Sequence, residues 1–251
     1  MKARRIALVC IAAVATYAIA LIAMVPAAWI ARAAERASAH RLLLREPAGS
    51  LWEGSARLYA DQRSGFLLDL GALRWKTSWS ALFTGKLAAD LTLGEAAETM
   101  HLQVSPTHAA IRGLKLELPA RILSAYAPGL EAFGPEGTLR IRSDDLRFED
   151  GSILGLAEIE WRQIRLARRQ GLDLGSHFAR LRGGGSKVDI ELGTLEGPLR
   201  LSGAGSWVRD AGLNLSGAVE HGAEPSPALV LFFRGVCAEY RDRRCAFRLK
   251  L

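Results

Sequence analysis

The chain has 251 residues, 49% of them hydrophobic and 24% charged, and a formal net charge of +7. Lys2, Arg4 and Arg5 supply three of these charges, and the mild excess left over the rest lacks the basic patch and interleaved aromatics of a nucleic-acid binder, so no nucleic-acid partner is expected. The five histidines are scattered, and none lies within ten residues of Cys237 or Cys245; no metal or cofactor is expected.

The chain starts with Lys2-Ala3-Arg4-Arg5, and from Ile6 to Val25 no residue is charged. Twenty helical residues span about 30 Å, the hydrocarbon thickness of a bilayer. Backbone in lipid must bond internally, so a helix is expected over residues 6–28. Trp29 stands where an interfacial aromatic belongs, and Arg32 is the next charge. A cleaved signal peptide is the rival reading, with Ala37-Ser38-Ala39 as its cleavage site, but signal cores are usually about 7–15 residues long. Basic residues stay cytoplasmic. Residues 1–5 therefore read as a cytoplasmic tail, with the rest of the chain in the periplasm of a bacterial envelope.

Residues 29–48 are rich in Ala, Leu and Arg and read as a helical stalk or linker, ended by Pro47-Ala48-Gly49. From Gly49 the texture becomes period-2 alternation, the mark of half-buried strands. Leu87, Ala89, Leu91 and Leu93 alternate with Lys86, Ala88, Asp90 and Thr92. Met100, Leu102 and Val104 follow, then Leu114, Leu116 and Leu118, then Val188, Ile190 and Leu192, then Leu213 and Leu215. The expected fold class is mainly β: a transmembrane helix, then an antiparallel β-rich periplasmic domain over residues 49–251, either a sandwich or a curved sheet. Two short helices interrupt it. Pro119–Ala127 opens on a proline suited to a first turn, and Pro227–Phe233 follows Ser226, a plausible N-cap.

A weak internal echo suggests two related halves, 49–136 and 137–251. Gly49-Ser50-Leu51 heads the first and Gly137-Thr138-Leu139 the second, and Trp75 and Trp161 follow at 26 and 24 residues. Cys237 and Cys245 flank a charged segment that reads as a hairpin tip near Asp242, and an oxidising periplasm permits a disulfide between them.

Catalytic motifs are absent: the Gly49 and Gly54 spacing lacks the lysine of a phosphate loop, and neither a nucleophile elbow nor a zinc-protease signature occurs. Asp144 and Asp145 are adjacent and so point to opposite faces of a strand, and Asp150-Gly151 suits a hairpin corner. No enzyme is expected. Trp52, Trp75, Trp79, Trp161 and Trp207 read as anchors of core layers, or as the lining of an apolar groove.

The basic tail, the single membrane helix and the block from Gly49 through Leu51, Trp52 and Gly54 to Ala56 resemble protein N of the type II secretion system. The resemblance continues through Leu73-Arg74-Trp75, Gly85-Lys86-Leu87, Leu118-Pro119-Ala120, Gly137 with Leu139, Trp161, Leu174-Gly175, and Gly197-Pro198-Leu199 up to about Gly205. It does not extend to the cysteine pair. It implies a single-pass inner-membrane accessory subunit that contacts the secretin and the inner-membrane platform subunits, without catalytic residues. The leucine alternation and the tryptophans also suit a second reading, an AsmA-like periplasmic groove that binds lipid.

Overall fold

The alternation of apolar and polar side chains forms, in a computed structural model of the chain, fourteen antiparallel strands of one sheet. The structure describes residues 24–61, 67–79, 85–94, 98–126, 132–167, 172–222, 237, 240–241 and 243–250, together with residues 13, 16, 17, 20, 227, 229 and 230. The strands are β1 (Leu42–Gly49), β2 (Glu53–Asp61), β3 (Leu67–Ser78), β4 (Leu87–Leu93), β5 (Thr99–Val104), β6 (His108–Pro119), β7 (Pro135–Glu149), β8 (Ser152–Leu166), β9 (Leu172–Gly185), β10 (Lys187–Glu196), β11 (Leu199–Val208), β12 (Gly212–His221), β13 (Tyr240–Arg241) and β14 (Arg244–Lys250). Spatial order follows chain order to β12, which is followed by β14 and then β13. Each strand folds back onto its predecessor, so most pairings are local. Among the described residues β1 and β13 have one neighbour each, so the sheet is open. Of the two expected architectures this is the curved sheet, not the sandwich.

Helix α1 (Ala28–Ala37) precedes β1. The expected helical stalk over residues 29–48 stops there. Ala39 and His40 take positive φ and turn the chain, and residues 42–49 pair with β2 instead. Leu42 and Leu44 gain burial in the sheet, and packing overrides helix propensity. Between β6 and β7 the 3₁₀ turn Ala120–Ile122 continues into α2 (Leu123–Tyr126) where a short helix was expected. The helix expected over Pro227–Phe233 falls partly outside the described residues; residues 227, 229 and 230 are helical. Most of the apolar run 6–25 also lies outside them, and among the described residues no helix is long and apolar enough to cross a membrane.

Register makes one face of the sheet apolar from edge to edge. Leu44 pairs with Leu58, Leu73 with Leu93, Leu91 with Met100, Leu118 with Leu139, Ile159 with Ala179, Leu192 with Gly203, and Leu215 with Leu249. The opposite face carries the cross-strand ion pairs, among them Arg57–Asp69 at 3.2 Å, Arg140–Glu117 at 3.1 Å and Arg180–Glu158 at 3.0 Å. They are exposed and stabilise little; their use is to keep that face in water. A register shift in β7 between Arg142 and Leu146 keeps the apolar set on one face, from Ile141 to Leu146 and Phe148.

Three buried clusters lie on the apolar face. Ala27, which caps α1, and Ala31 within it pack on Leu44, Ala56 and Trp75. Ala120 and Ile122 pack on Leu118 and Leu139, and the same cluster takes in Leu42, Ala60, Leu68 and Leu70 from β1 to β3 and Ile159 and Trp161 from β8. A single cluster that reaches both β1–β3 and β6–β8 requires the sheet to curl around the 120–126 segment, which makes the apolar face concave. Leu229 with Leu166, Leu172, Leu199 and Cys245 forms the third.

Candidate functional site

Two ends of the curled sheet differ. One end holds residues 118–139, 161–176, 196–199 and 219–221, where the 120–126 segment and Leu229 fill the concave face. The other holds the turns at residues 50–53, 105–107, 150–151 and 209–211, and here α1 begins. The chain emerging from residue 25 is bonded to this second end, for the Leu51 N–H donates to the Val25 carbonyl at 2.8 Å and the Ala27 N–H to Gly49 at 3.2 Å.

The Gly49–Gly54 block makes that joint. Gly49 has φ +88°, and a Cβ there would stand 2.5 Å from the Glu53 carbonyl oxygen, so only glycine turns the chain so tightly. Gly54 lies flat beneath the Trp75 indole, where a Cβ would sit 2.6 Å from the ring. The Trp75 Nε1–H donates to the Ser50 carbonyl at 3.1 Å, and the Thr77 hydroxyl donates to the Leu51 carbonyl at 3.1 Å. Trp52 is buried and stacks on Trp79 with ring centroids 3.6 Å apart. Trp79 itself is largely exposed and anchors no core layer, because β3 has ended at Ser78.

The second half repeats the device. The Trp161 Nε1–H donates to the Glu136 carbonyl at 3.1 Å, and both indole-to-carbonyl bonds span 25 residues. Gly137 has φ +108°, and a Cβ would come within 2.3 Å of the Arg162 carbonyl oxygen. Leu139 is buried beside Trp161. Gly197 lies against Gly175, where a Cβ would be 2.4 Å from the Gly175 Cα. These positions therefore shape the backbone, and the structure does not gather them into one constellation. Gly193 lies inside β10 under the Phe178 ring.

Cys237 and Cys245 are joined by a disulfide with Cα atoms 5.8 Å apart. The hairpin is there, but Cys245 pairs across it with Tyr240. Cys237 lies before β13 and reaches Cys245 from beyond the ladder, packed against the Leu166 and Leu199 cluster.

Among the described residues the charged groups do not gather into a catalytic set. Asp145 is held below the usual carboxylate range chiefly by its hydrogen bond from Arg147, on the outer face. The pKa of His177 is lowered by burial. Its Nε2 lies 3.0 Å from the Leu174 carbonyl oxygen, and its Nδ1 lies 3.2 Å from the Thr194 hydroxyl. That suits a neutral packing residue bridging β9 and β10. Among the described residues no group of His, Cys, Asp or Glu is placed to hold a metal. Depressions occur on the outer face: one of about 910 Å³ runs over Ser202, Ala204, Ser216 and Ala218 between Glu191 and Arg248, and one of about 520 Å³ lies beside Ser176 and Glu196.

What the molecule offers, then, is surface. The half-buried apolar concave face, including Leu102, Ile111, Leu181, Ile190 and Leu215, stays open toward the end that receives residue 25. Alternation in the sequence showed Leu102, Ile190 and Leu215 but not Ile111 or Leu181, nor which side chains would be left uncovered.

The comparison with curated proteins and the comparison with solved structures give no match. The family model for type II secretion system (T2SS) protein N matches residues 40–239, a span that runs from the start of the sheet to the approach to its last hairpin and takes in both indole-locked turns. With so much of the chain matched, it belongs to the type II secretion system protein N family.

Proposed function

We propose that this chain is a non-enzymatic, single-pass accessory subunit of the type II secretion system in the bacterial inner membrane. Its basic tail is cytoplasmic and its curled sheet is periplasmic, where it touches the secretin, the inner-membrane platform, or both, in support of export of folded proteins. The family match carries this reading. The joint at Gly49–Trp52 supports the tether. Its backbone hydrogen bonds to Val25 and Ala27 leave no flexible linker between the apolar run and the sheet, so the sheet is held at a set height above the membrane. The shared indole-to-carbonyl lock supports a division into two related halves, 49–136 and 137–251. Deletion of the gene should abolish or reduce export of secreted proteins, and crosslinking in intact membranes should capture secretion components. Unchanged export together with crosslinks to no secretion subunit would sink the proposal.

A second reading, compatible with the first, is a lipid-binding groove of the AsmA-like kind. The observation in its favour is the mainly apolar concave face, continuous over the strands, with the cross-strand ion pairs on its back. Mass spectrometry of protein purified from membranes should find bound phospholipid; a lipid-free preparation counts against it.

A further inference from the structure

Among the described residues, most of the exposed large apolar side chains of the fold gather at one end of the molecule. Leu87, Val104, Phe148 and Leu249 are 37–42% exposed. All four lie on the apolar face or its rim at the end where residues 104–109, 148–153 and 207–213 turn. Trp29, at the start of α1, and Trp79, just after β3, flank the same end and are exposed as well. Leu67 and Leu195 are at least as exposed but stand at the other end, and Leu156 lies on the outer face. The crowded end is the one to which Val25 is bonded. Val25 closes the uncharged run of twenty residues, a length that as a helix would span about 30 Å, a bilayer's hydrocarbon thickness. A tether of that length, joined without a linker, brings this end of the sheet to the membrane surface. Side chains that water would disfavour there meet acyl chains instead.

We propose that this end is the mouth of the groove: it seats in the outer leaflet of the membrane that holds the tether, and phospholipid acyl chains enter the open concave face between Val104, Phe148 and Leu249. This rests on the lipid-groove reading above. The opposite end is filled by the 120–126 segment and Leu229, so entry is one-sided. Charge does not drive the seating, because at the turns and strand ends here Lys86, Lys187, Arg209 and Lys250 are offset by Glu53, Glu149, Asp150 and Asp210. Apolar contact alone accounts for it, so binding should not weaken in salt.

The test uses the full chain in nanodiscs of phosphatidylethanolamine and phosphatidylglycerol. A photoreactive residue is placed singly by Val104→p-benzoylphenylalanine and by the same replacement at Phe148 and Leu249, at the interior positions Leu181 and Ile190, and at Leu67 and Leu195. The rim positions are exposed enough to accept the ring without disturbing the core, and three independent sites report on one end. After irradiation, lipid adducts are expected at the rim and interior positions and should be lost at Leu67 and Leu195. Rim adducts without interior adducts sink the groove reading and the entry with it. Interior adducts without rim adducts overturn the mouth and leave the groove standing. Equal labelling at both ends overturns the proposal, as does rim labelling that high salt removes.

Discussion

Replacing Trp75 with phenylalanine tests the joint that fixes the sheet to the emerging chain. Trp75 is buried, its indole N–H bonds the Ser50 carbonyl at 3.1 Å, and its ring lies over Gly54. Phenylalanine keeps an aromatic ring over the glycine and deletes the donor. A lost hydrogen bond costs about 1 kcal/mol, and up to about 3 if the carbonyl is left dry. Ser50 is itself half-buried, so water reaches the orphaned oxygen in part and the low end applies. Trp75→Ala removes the ring as well and should cost about 3–5 kcal/mol. For a domain of this size each kcal/mol lowers the melting temperature by about 2–4 °C. Thermal unfolding of the full chain in detergent, followed by circular dichroism, reads both variants. Hydrogen exchange adds a local readout, since the amides of Leu51 and Thr77 donate to Val25 and Trp52 across this joint and should exchange faster in Trp75→Phe. Melting of both variants with the wild type, and unchanged protection at Leu51, would refute the account of Trp75 as the lock.

Gly137→Ala should destabilise by more than about 1–3 kcal/mol, because it combines an unfavourable φ of +108° with a Cβ placed 2.3 Å from the Arg162 carbonyl oxygen. Gly222→Ala, with nothing within 4 Å of the added carbon, should leave the melting temperature unchanged. Reduction, or the paired change of Cys237 and Cys245 to serine, frees a short loop and should cost about 2–3 kcal/mol in the chain-entropy account, seen as a lower melting temperature and looser exchange in β14. Burial holds the His177 pKa below its ordinary value, so the unfolded chain takes up that proton first. Stability should therefore be full above about pH 6.5 and fall as the pH drops below it, and His177→Gln should flatten that part of the profile in denaturant titrations.

Much of this molecule is local pattern. The uncharged run from Ile6 to Val25 and its basic flank, the alternating leucines, and the Asp150-Gly151 corner can all be read from short stretches, because a strand's two faces follow from a period of two. The short helix after Pro119 was legible because a proline suits a helix's first turn. Other features depended on partners distant in sequence. Residues 42–48 look helical alone and become β1 only because β2 offers a ladder edge and a place to bury Leu42 and Leu44. The choice of one open meander over a sandwich follows from which strands pair, and alternation is the same in both. The disulfide is offset from the hairpin ladder because Arg241 pairs with Arg244, a register that no spacing rule specified. The same holds for the groove: the sequence by itself determined that one face of the sheet would be apolar, while only the tertiary structure decided which part of it the helices cover and which end is left open beside Val25, since coverage depends on where the chain returns in space.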